Sequence, residues 1–174
     1  MLSIRKATAH DAPLILEFIR RLAEYEREPN AVVATEEDLI RDGFGSEPKY
    51  RCLIAEWAGA PAGFALFHYN YSTWRGHAGL YLEDLFVLVE MRGKGIGKAL
   101  LQRLAQIALE ESCYGLRWMV LEWNDPALKF YESLGAELLG EWETMLLRGE
   151  PLQRLAQSES TWSSQLKGQI GEPD

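Results

Sequence analysis

Arg92-Gly93-Lys94-Gly95-Ile96-Gly97-Lys98 decides the fold, because this stretch joins a strand pattern to a helix pattern. Residues 79–89 before it are apolar apart from Glu83 and Asp84, as expected of a largely buried strand. After it, apolar residues recur at helical spacing, at Ile96, Leu100, Leu101, Leu104, Ile107 and Ala108. A strand, a glycine loop and an amphipathic helix in direct succession predict a crossover to a parallel strand.

The glycine loop has the properties of an anion site. Backbone N–H groups at the start of a helix have no partner within it, and the helix dipole adds partial positive charge. Glycines let the backbone approach a phosphate closely, and Arg92, Lys94 and Lys98 add positive charge to an otherwise acidic chain. The loop therefore favours a pyrophosphate ligand; the alternative is a glycine-rich turn that only begins the helix.

Two common phosphate-binding motifs do not fit this loop. The P-loop pattern Gly-x-x-x-x-Gly-Lys-Ser/Thr fails because Gly93 is one residue too close to Gly97-Lys98, and because Ala99 replaces the hydroxyl residue. The dinucleotide pattern Gly-x-Gly-x-x-Gly, read from Gly95, meets Leu100 at its third glycine. Arg92-x-x-Gly95-x-Gly97 is the pattern that remains.

The rest of the chain predicts a mixed sheet. Strand patterns cover residues 2–6, 51–57, 62–71, 116–123 and 137–148, with a hairpin turn signal at 58–61. Helix patterns cover 11–25, a short segment capped by Thr35, and a segment that begins at Asp125-Pro126. Early hairpins and a late crossover predict an α+β fold, with a sheet that is antiparallel at one end and parallel at the other.

Length and composition exclude several classes of protein. A chain of 174 residues predicts one domain, and a net charge of −8 disfavours nucleic acid as a partner. Cys52 and Cys113 form neither a ligand cluster nor a disulfide framework, which favours a reducing compartment. No apolar run is long enough for a membrane span, and residues 1–6 do not resemble a signal peptide. We expect a cytoplasmic protein with no metal, nucleic-acid or membrane partner.

Three segments of the sequence together resemble one enzyme family. They are Leu80-Tyr81-Leu82-Glu83-Asp84-Leu85-Phe86-Val87, the pattern Arg92-x-x-Gly95-x-Gly97, and Glu122-Trp123-Asn124-Asp125-Pro126-Ala127-Leu128-Lys129-Phe130-Tyr131 followed by Gly135-Ala136. The loop matches the Arg/Gln-x-x-Gly-x-Gly/Ala signature of the GNAT N-acetyltransferases. The other two segments resemble spermidine/spermine N-acetyltransferases and their thialysine-acetylating relatives. The resemblance implies a GNAT domain over residues 1–148, with the polar residues 149–174 as a tail or arm.

The resemblance also implies an acetyl-CoA site. In this family the strand at 80–88 splays from the strand at 116–122, and the cofactor lies in the V-shaped cleft between them. Backbone groups of the first strand would bind the pantetheine arm, and the glycine loop would bind the diphosphate. The implied cofactor-binding residues are Leu85, Phe86, Val87, Arg92, Gly93, Lys94, Gly95, Ile96, Gly97, Lys98, Asn124, Asp125, Pro126 and Ala127.

The implied reaction is attack of a free amine on the acetyl thioester, so the substrate ammonium must first lose a proton. The resemblance assigns Tyr131 as the acid that protonates the departing thiolate and Glu83 as the base, acting through water. Phe130 and Tyr131 could instead be a core pair. Glu83 and Asp84, on opposite faces of a regular strand, could be solvent-facing acids near a bulge or electrostatic anchors for the amine.

The residues that the resemblance places near the amine substrate are Tyr25, Glu26, Glu83, Asp84, Arg117, Trp118 and Met119. Arg117 is a cation where a long polyamine would lie, and it could instead accept the carboxylate of an amino acid such as thialysine. A water-facing helix surface is the alternative for Tyr25 and Glu26. His10, His68 and His77 have no metal spacing and are interpreted as surface or loop residues.

We expect an N-acetyltransferase that moves an acetyl group from acetyl-CoA to a small cationic amine, by direct transfer in a ternary complex. A polyamine or diamine is the first substrate class, followed by thialysine-like amino acids. The resemblance also implies a homodimer, with the C-terminal segment as a contributor. A protein lysine or N-terminal acetyltransferase and a non-catalytic acyl-CoA sensor are the alternatives.

Overall fold

The computed structural model describes residues 1–140 and 144–157. In them, a five-stranded sheet has the order β1-β2-β3-β4-β5. Adjacent strands are antiparallel except β4 and β5, which are parallel. This arrangement confirms the predicted mixed sheet. The strands are β1 (Leu2–Lys6), β2 (Arg51–Trp57), β3 (Ala60–Ser72), β4 (His77–Val87) and β5 (Leu116–Trp118).

Helices connect and flank these strands. They are α1 (Ala12–Tyr25), α2 (Glu36–Phe44), α3 (Ile96–Glu110), α4 (Asp125–Glu132) and α5 (Glu150–Gln157), with short 3-10 turns at Ala9–Asp11 and Val89–Met91. The predicted cap of α2 is present, because Thr35 Oγ1 accepts a hydrogen bond from the Asp38 N–H at 3.2 Å. The Asp38 carboxylate in turn accepts from the Thr35 N–H at 3.0 Å, which completes a capping box.

Both faces of the sheet are buried. On one face, α1 packs Ile15 and Phe18 against a cluster that includes Ile54, Phe64 and Phe86. The strand residues between them in the alternation are also buried, on the opposite face of the sheet and outside that cluster; they are Leu53, Ala55, Ala65, Phe67 and Leu82. The apolar side of α3, including Leu100 and Leu104, is buried on this second face. Strand alternation therefore divides the core into an α1 layer and an α3 layer.

The chain divides into two compact units, one of residues 1–124 and one that begins at Asp125. In the first unit, the strand predicted at 116–123 is shorter and ends at Trp118. In the second unit, residues 137–140 and 144–148 are not in a strand, so the predicted strand at 137–148 is wrong for them; residues 141–143 lie outside the described residues. The predicted tail at 149–174 contains α5, and its residues 158–174 are not described.

Pairing between β4 and β5 stops before the end of β4. The paired positions are Leu80 with Leu116, Tyr81 with Arg117, and Leu82 with Trp118. β4 continues to Val87 and stays paired with β3 on its other side. The last residues of β4 therefore have one edge that no described strand covers, which we call the open edge.

Candidate active site

The open edge of β4 exposes alternate backbone groups. The Leu88 N–H donates to the Ala62 carbonyl at 3.0 Å, and in an antiparallel pair the next such residue is Phe86. The backbone groups of Leu85 and Val87 therefore point away from β3, towards the open edge. Arg92 Nε donates to the Val87 carbonyl at 3.3 Å, which agrees with this orientation. Leu85, Phe86 and Val87 were all predicted to bind the pantetheine arm through their backbone groups; the strand geometry leaves these groups accessible in Leu85 and Val87 but pairs those of Phe86 with β3.

The glycine loop begins α3 without a side-chain cap. Gly93 and Gly95 have φ angles of +77° and +79°, in the left-handed region that favours glycine. The Ala99 N–H donates to the Gly95 carbonyl at 3.0 Å, so the amides of residues 96–98 precede the first hydrogen bond of the helix. A Cβ added at either glycine would meet no atom within 4 Å, so a phosphate can approach this backbone. The loop fits a diphosphate.

Positive charge lies beside these amides. Arg92, Lys94 and Lys98 are exposed, and none of them forms an ion pair with a carboxylate among residues 1–140 and 144–157. The Arg92 guanidinium lies 4.3 Å from the Tyr25 ring centroid, and Lys94 Nζ lies 5.5 Å from that of Trp57. The charges of the three cations remain available to an anionic ligand.

Glu83 is the extra residue of a β-bulge. Leu66 pairs with Asp84 and Phe67 pairs with Leu82, which leaves Glu83 without a partner on β3. Asp84 therefore shares the face of Leu66, in the α1 layer. Glu83 Oε2 lies 3.4 Å from Nε2 of His68, which alternation places on that same face. The two acids would face opposite sides only in a regular strand; the bulge shifts the alternation by one residue and places both side chains on the α1 side.

Asp84 is held in a poorly solvated position. Burial raises the pKa of its carboxyl to about 6, and the negative charges of Glu83 and Glu26 act in the same direction. Burial also raises the pKa of Glu26, at the end of α1. Three carboxyl groups that repel one another are stabilised by a cation placed among them, so this surface can bind an ammonium group.

Tyr25 is anchored at the end of α1. Its hydroxyl donates to Oδ1 of the buried Asn124 at 3.1 Å, and its ring centroid lies 6.3 Å from that of Trp123. The Arg27 guanidinium lies 4.3 Å from the centroid of Trp123. The structure thus brings together two residues predicted for different ligands, Tyr25 for the amine and Asn124 for the cofactor.

The remaining predicted amine contacts lie on or after β5. Arg117 is paired with Tyr81, so its side chain lies on the same side of the sheet as Tyr81 and His68. Trp118 is half-buried and Met119 is exposed. Arg117 is therefore the cation that lies nearest in the sheet to the bulge.

The other predicted residues belong to the second unit. Asp125, Pro126 and Ala127 form the first turn of α4. Tyr131 lies in the last turn of that helix, half-buried, with its ring centroid 5.3 Å from that of Phe130. Neither ring is fully buried, and a contact between adjacent rings does not distinguish a packing pair from a catalytic phenol, so the acid role of Tyr131 stays a prediction.

His68 is a residue that sequence reasoning missed. It was expected to be a surface or loop residue, but it lies within β3 beside Glu83, and its ring stacks on Tyr81 with centroids 5.0 Å apart. Strand alternation already places His68 in phase with Phe64 and Leu66. The contact with Glu83 could not be predicted, because it depends on the register that pairs His68 with Tyr81 across β3 and β4.

Comparison with known proteins decides the family. The sequence profile of the Acetyltransferase (GNAT) family matches residues 16–136. The chain belongs to the GNAT acetyltransferase family. This membership confirms the predicted fold and an acyltransferase enzyme.

Among residues 1–140 and 144–157, this GNAT chain has no group of three His, Cys, Asp or Glu side chains that could hold a metal ion. None of the helices in the same residues has the length and apolar character needed to cross a bilayer.

Individual relatives of this GNAT chain include two curated enzymes. The thialysine N-epsilon-acetyltransferase of Bos taurus is 42% identical over 164 residues, which cover 88% of this chain and 96% of that protein. The spermidine/spermine N(1)-acetyltransferase-like protein 1 of Homo sapiens is 41% identical over 140 residues, 76% of this chain but 20% of that protein. A solved integron cassette protein from the V. cholerae mobile metagenome has a TM-score of 0.76 and 30% identity, covering 90% of this chain and 98% of its own.

Proposed function

We propose that this GNAT enzyme moves the acetyl group of acetyl-CoA to the primary amine of a small cationic substrate, by direct transfer in a ternary complex. One observation carries the proposal: β4 loses its β5 partner at the bulge that bears Glu83 and Asp84, and then leads into the uncapped start of α3. Backbone groups, an anion site and carboxylates are thus adjacent along one short segment. This is what a reaction between a diphosphate-bearing thioester and an ammonium substrate needs.

The cofactor would be held by backbone groups and cations. Acetyl-CoA supplies an acetyl group activated as a thioester. The open-edge groups of Leu85 and Val87 would bind the amides of its pantetheine arm. Residues 93–98 would bind the diphosphate through the free amides of α3, with Arg92 adding charge. Asn124 and residues 125–127 are proposed, from the resemblance, to line the channel.

The amine would be attracted by carboxylates and deprotonated at the bulge. An alkylammonium has an ordinary pKa of about 10 and cannot attack until it has lost its proton. Asp84 and Glu26 would hold the ammonium by charge. Glu83, whose side chain is 56% exposed, would accept the proton through water and release it to solvent. Tyr131 would protonate the departing sulfur.

The substrate class follows from the charges near the bulge. The carboxylates favour a diamine or polyamine, and the name of the human relative supports this class. A thialysine-like amino acid is the second candidate, because Arg117 lies on the same side of the sheet and could pair with an α-carboxylate. The name of the bovine relative supports that alternative. The homodimer implied by the resemblance is also part of this proposal.

The test is CoA release by the purified chain with a panel of amines. The panel contains a diamine, spermidine, thialysine, lysine and a lysine-bearing peptide, with calorimetry of acetyl-CoA binding and light scattering for the dimer. We expect turnover with the small amines. The variant Arg117→Gln should lower kcat/KM for amino acids while leaving that for diamines equal or higher. Tight acetyl-CoA binding without turnover of any small amine would favour a sensor or a protein substrate instead.

A further inference from the structure

His68 contacts the carboxylate at the bulge. Its Nε2 lies 3.4 Å from Glu83 Oε2, and its ring is stacked on Tyr81 at an interplanar angle of 29°. Glu83 follows Leu82, which faces the α3 side, so the Glu83 side chain lies on the α1 side, where alternation also places Tyr81 and His68. The histidine and the extra residue therefore form one local arrangement.

The surroundings make His68 suited to hold a flexible partner. Stacking on Tyr81 restricts the imidazole, while the Glu83 side chain, 56% exposed, would otherwise sample several rotamers. In the part of the chain that the structure describes, the ionisable groups beside this pair include the Tyr81 phenol and Asp84 on β4, Arg117 on β5 and, through Asp84, Glu26 at the end of α1. A hydrogen bond from the restricted His68 imidazole lowers the entropic cost of holding the Glu83 carboxylate in one orientation.

Resting on the proposed function, we propose that His68 is a positioning residue, whose Nε2–H holds the Glu83 carboxylate at the open edge in the orientation that receives the substrate's proton. In this step the ammonium N–H bond breaks, the proton passes through water to a Glu83 oxygen, and it then leaves to solvent; no other bond changes.

Two variants separate positioning from packing. His68→Phe keeps an aromatic ring on Tyr81 but removes the donor, and His68→Gln restores a donor without the ring. We expect His68→Phe to lower kcat about tenfold with an unchanged KM for acetyl-CoA, whereas His68→Gln recovers most of that loss.

His77→Gln is the matched control, since it removes a histidine at the exposed start of β4. This variant should keep the wild-type kcat, and thermal unfolding should show that all three variants are folded. A wild-type kcat in His68→Phe would overturn the inference, and so would a loss that His68→Gln does not restore or that follows only the folded fraction. A wild-type chain that acetylates no amine would overturn the proposed function and this inference with it.

Discussion

Replacing Gly95 with alanine tests whether the glycine loop is a binding site or only the start of a helix. Gly95 has a φ of +79°, and a Cβ built there meets no atom within 4 Å. The chain offers a matched position in Gly59, at the hairpin between β2 and β3, with a φ of +82° and equally open space. Alanine at either position suffers the same backbone strain and no steric clash, so the two variants differ only in what approaches the loop from outside.

The expected magnitudes follow from this geometry. Left-handed backbone costs a residue with a Cβ roughly 1–2 kcal/mol, so both variants should lose about that much unfolding free energy. At Gly95 the added methyl group also occupies the space through which a phosphate would reach the α3 amides. Loss of one charge-assisted hydrogen bond costs about 1.5–3 kcal/mol. The Kd for CoA should therefore rise about 10- to 100-fold in Gly95→Ala and stay unchanged in Gly59→Ala.

Urea unfolding and isothermal titration with CoA measure the two quantities separately. We expect Gly95→Ala and Gly59→Ala to lose the same unfolding free energy, but only Gly95→Ala to bind CoA more weakly. If Gly95→Ala binds CoA as tightly as Gly59→Ala does, the loop is a structural turn and the diphosphate assignment is refuted. If both variants weaken CoA binding equally, the effect comes from lower stability and not from the loop.

Three further predictions concern the acids and the phenol. Tyr131→Phe should lower kcat about 100-fold with unchanged CoA affinity; unaltered turnover in steady-state assays would remove this residue from the mechanism. Folding raises the pKa of Asp84 to about 6, so the charged carboxylate makes the protein less stable as the pH rises from about 4 to about 6. Asp84→Asn should therefore gain at most about 3 kcal/mol of unfolding free energy in urea at pH 7.5 and little near pH 4. A loss of stability at both pH values would contradict this. Arg5 holds the pKa of Asp11 well below its usual range, so Asp11→Ala should cost about 2 kcal/mol above pH 5, a cost that shrinks on acidification. Asp42→Ala is the control, because it removes a half-exposed carboxylate whose ion pair with Arg41 lies at the surface; it should cost clearly less than Asp11→Ala.

Features that depend on local sequence could be predicted. β1 and β2 have the predicted bounds, and the α2 cap and the hairpin turn are where the residues indicate. Alternation, capping side chains and turn residues act over a few neighbours, so a single sequence contains the information. The same is true of the glycine loop that begins α3, whose glycines and cations lie within seven residues; its role as an anion site stays a prediction.

Features that depend on distant partners could not be predicted. The strand after α3 ends at Trp118 although apolar residues continue, because strand length is limited by pairing and β4 pairs with β5 only as far as Leu82. The bulge at Glu83 depends on the β3–β4 register, which no single strand pattern contains. For the same reason, the contact of Tyr25 with Asn124, 99 positions apart in the chain, had no sequence signal of its own.

The bulge also separates the residue proposed for proton transfer from the residues that stabilise the sheet. Its neighbours Leu82 and Phe86 are almost fully buried, and most substitutions there would damage one hydrophobic layer or the other. Glu83 is an additional residue on the α1 side, but its side chain is 56% exposed and adds to neither buried layer. Substitutions of Glu83 would thus remove the proposed proton acceptor at almost no cost in folding, so that a folded but inactive variant isolates deprotonation of the amine from the integrity of the sheet.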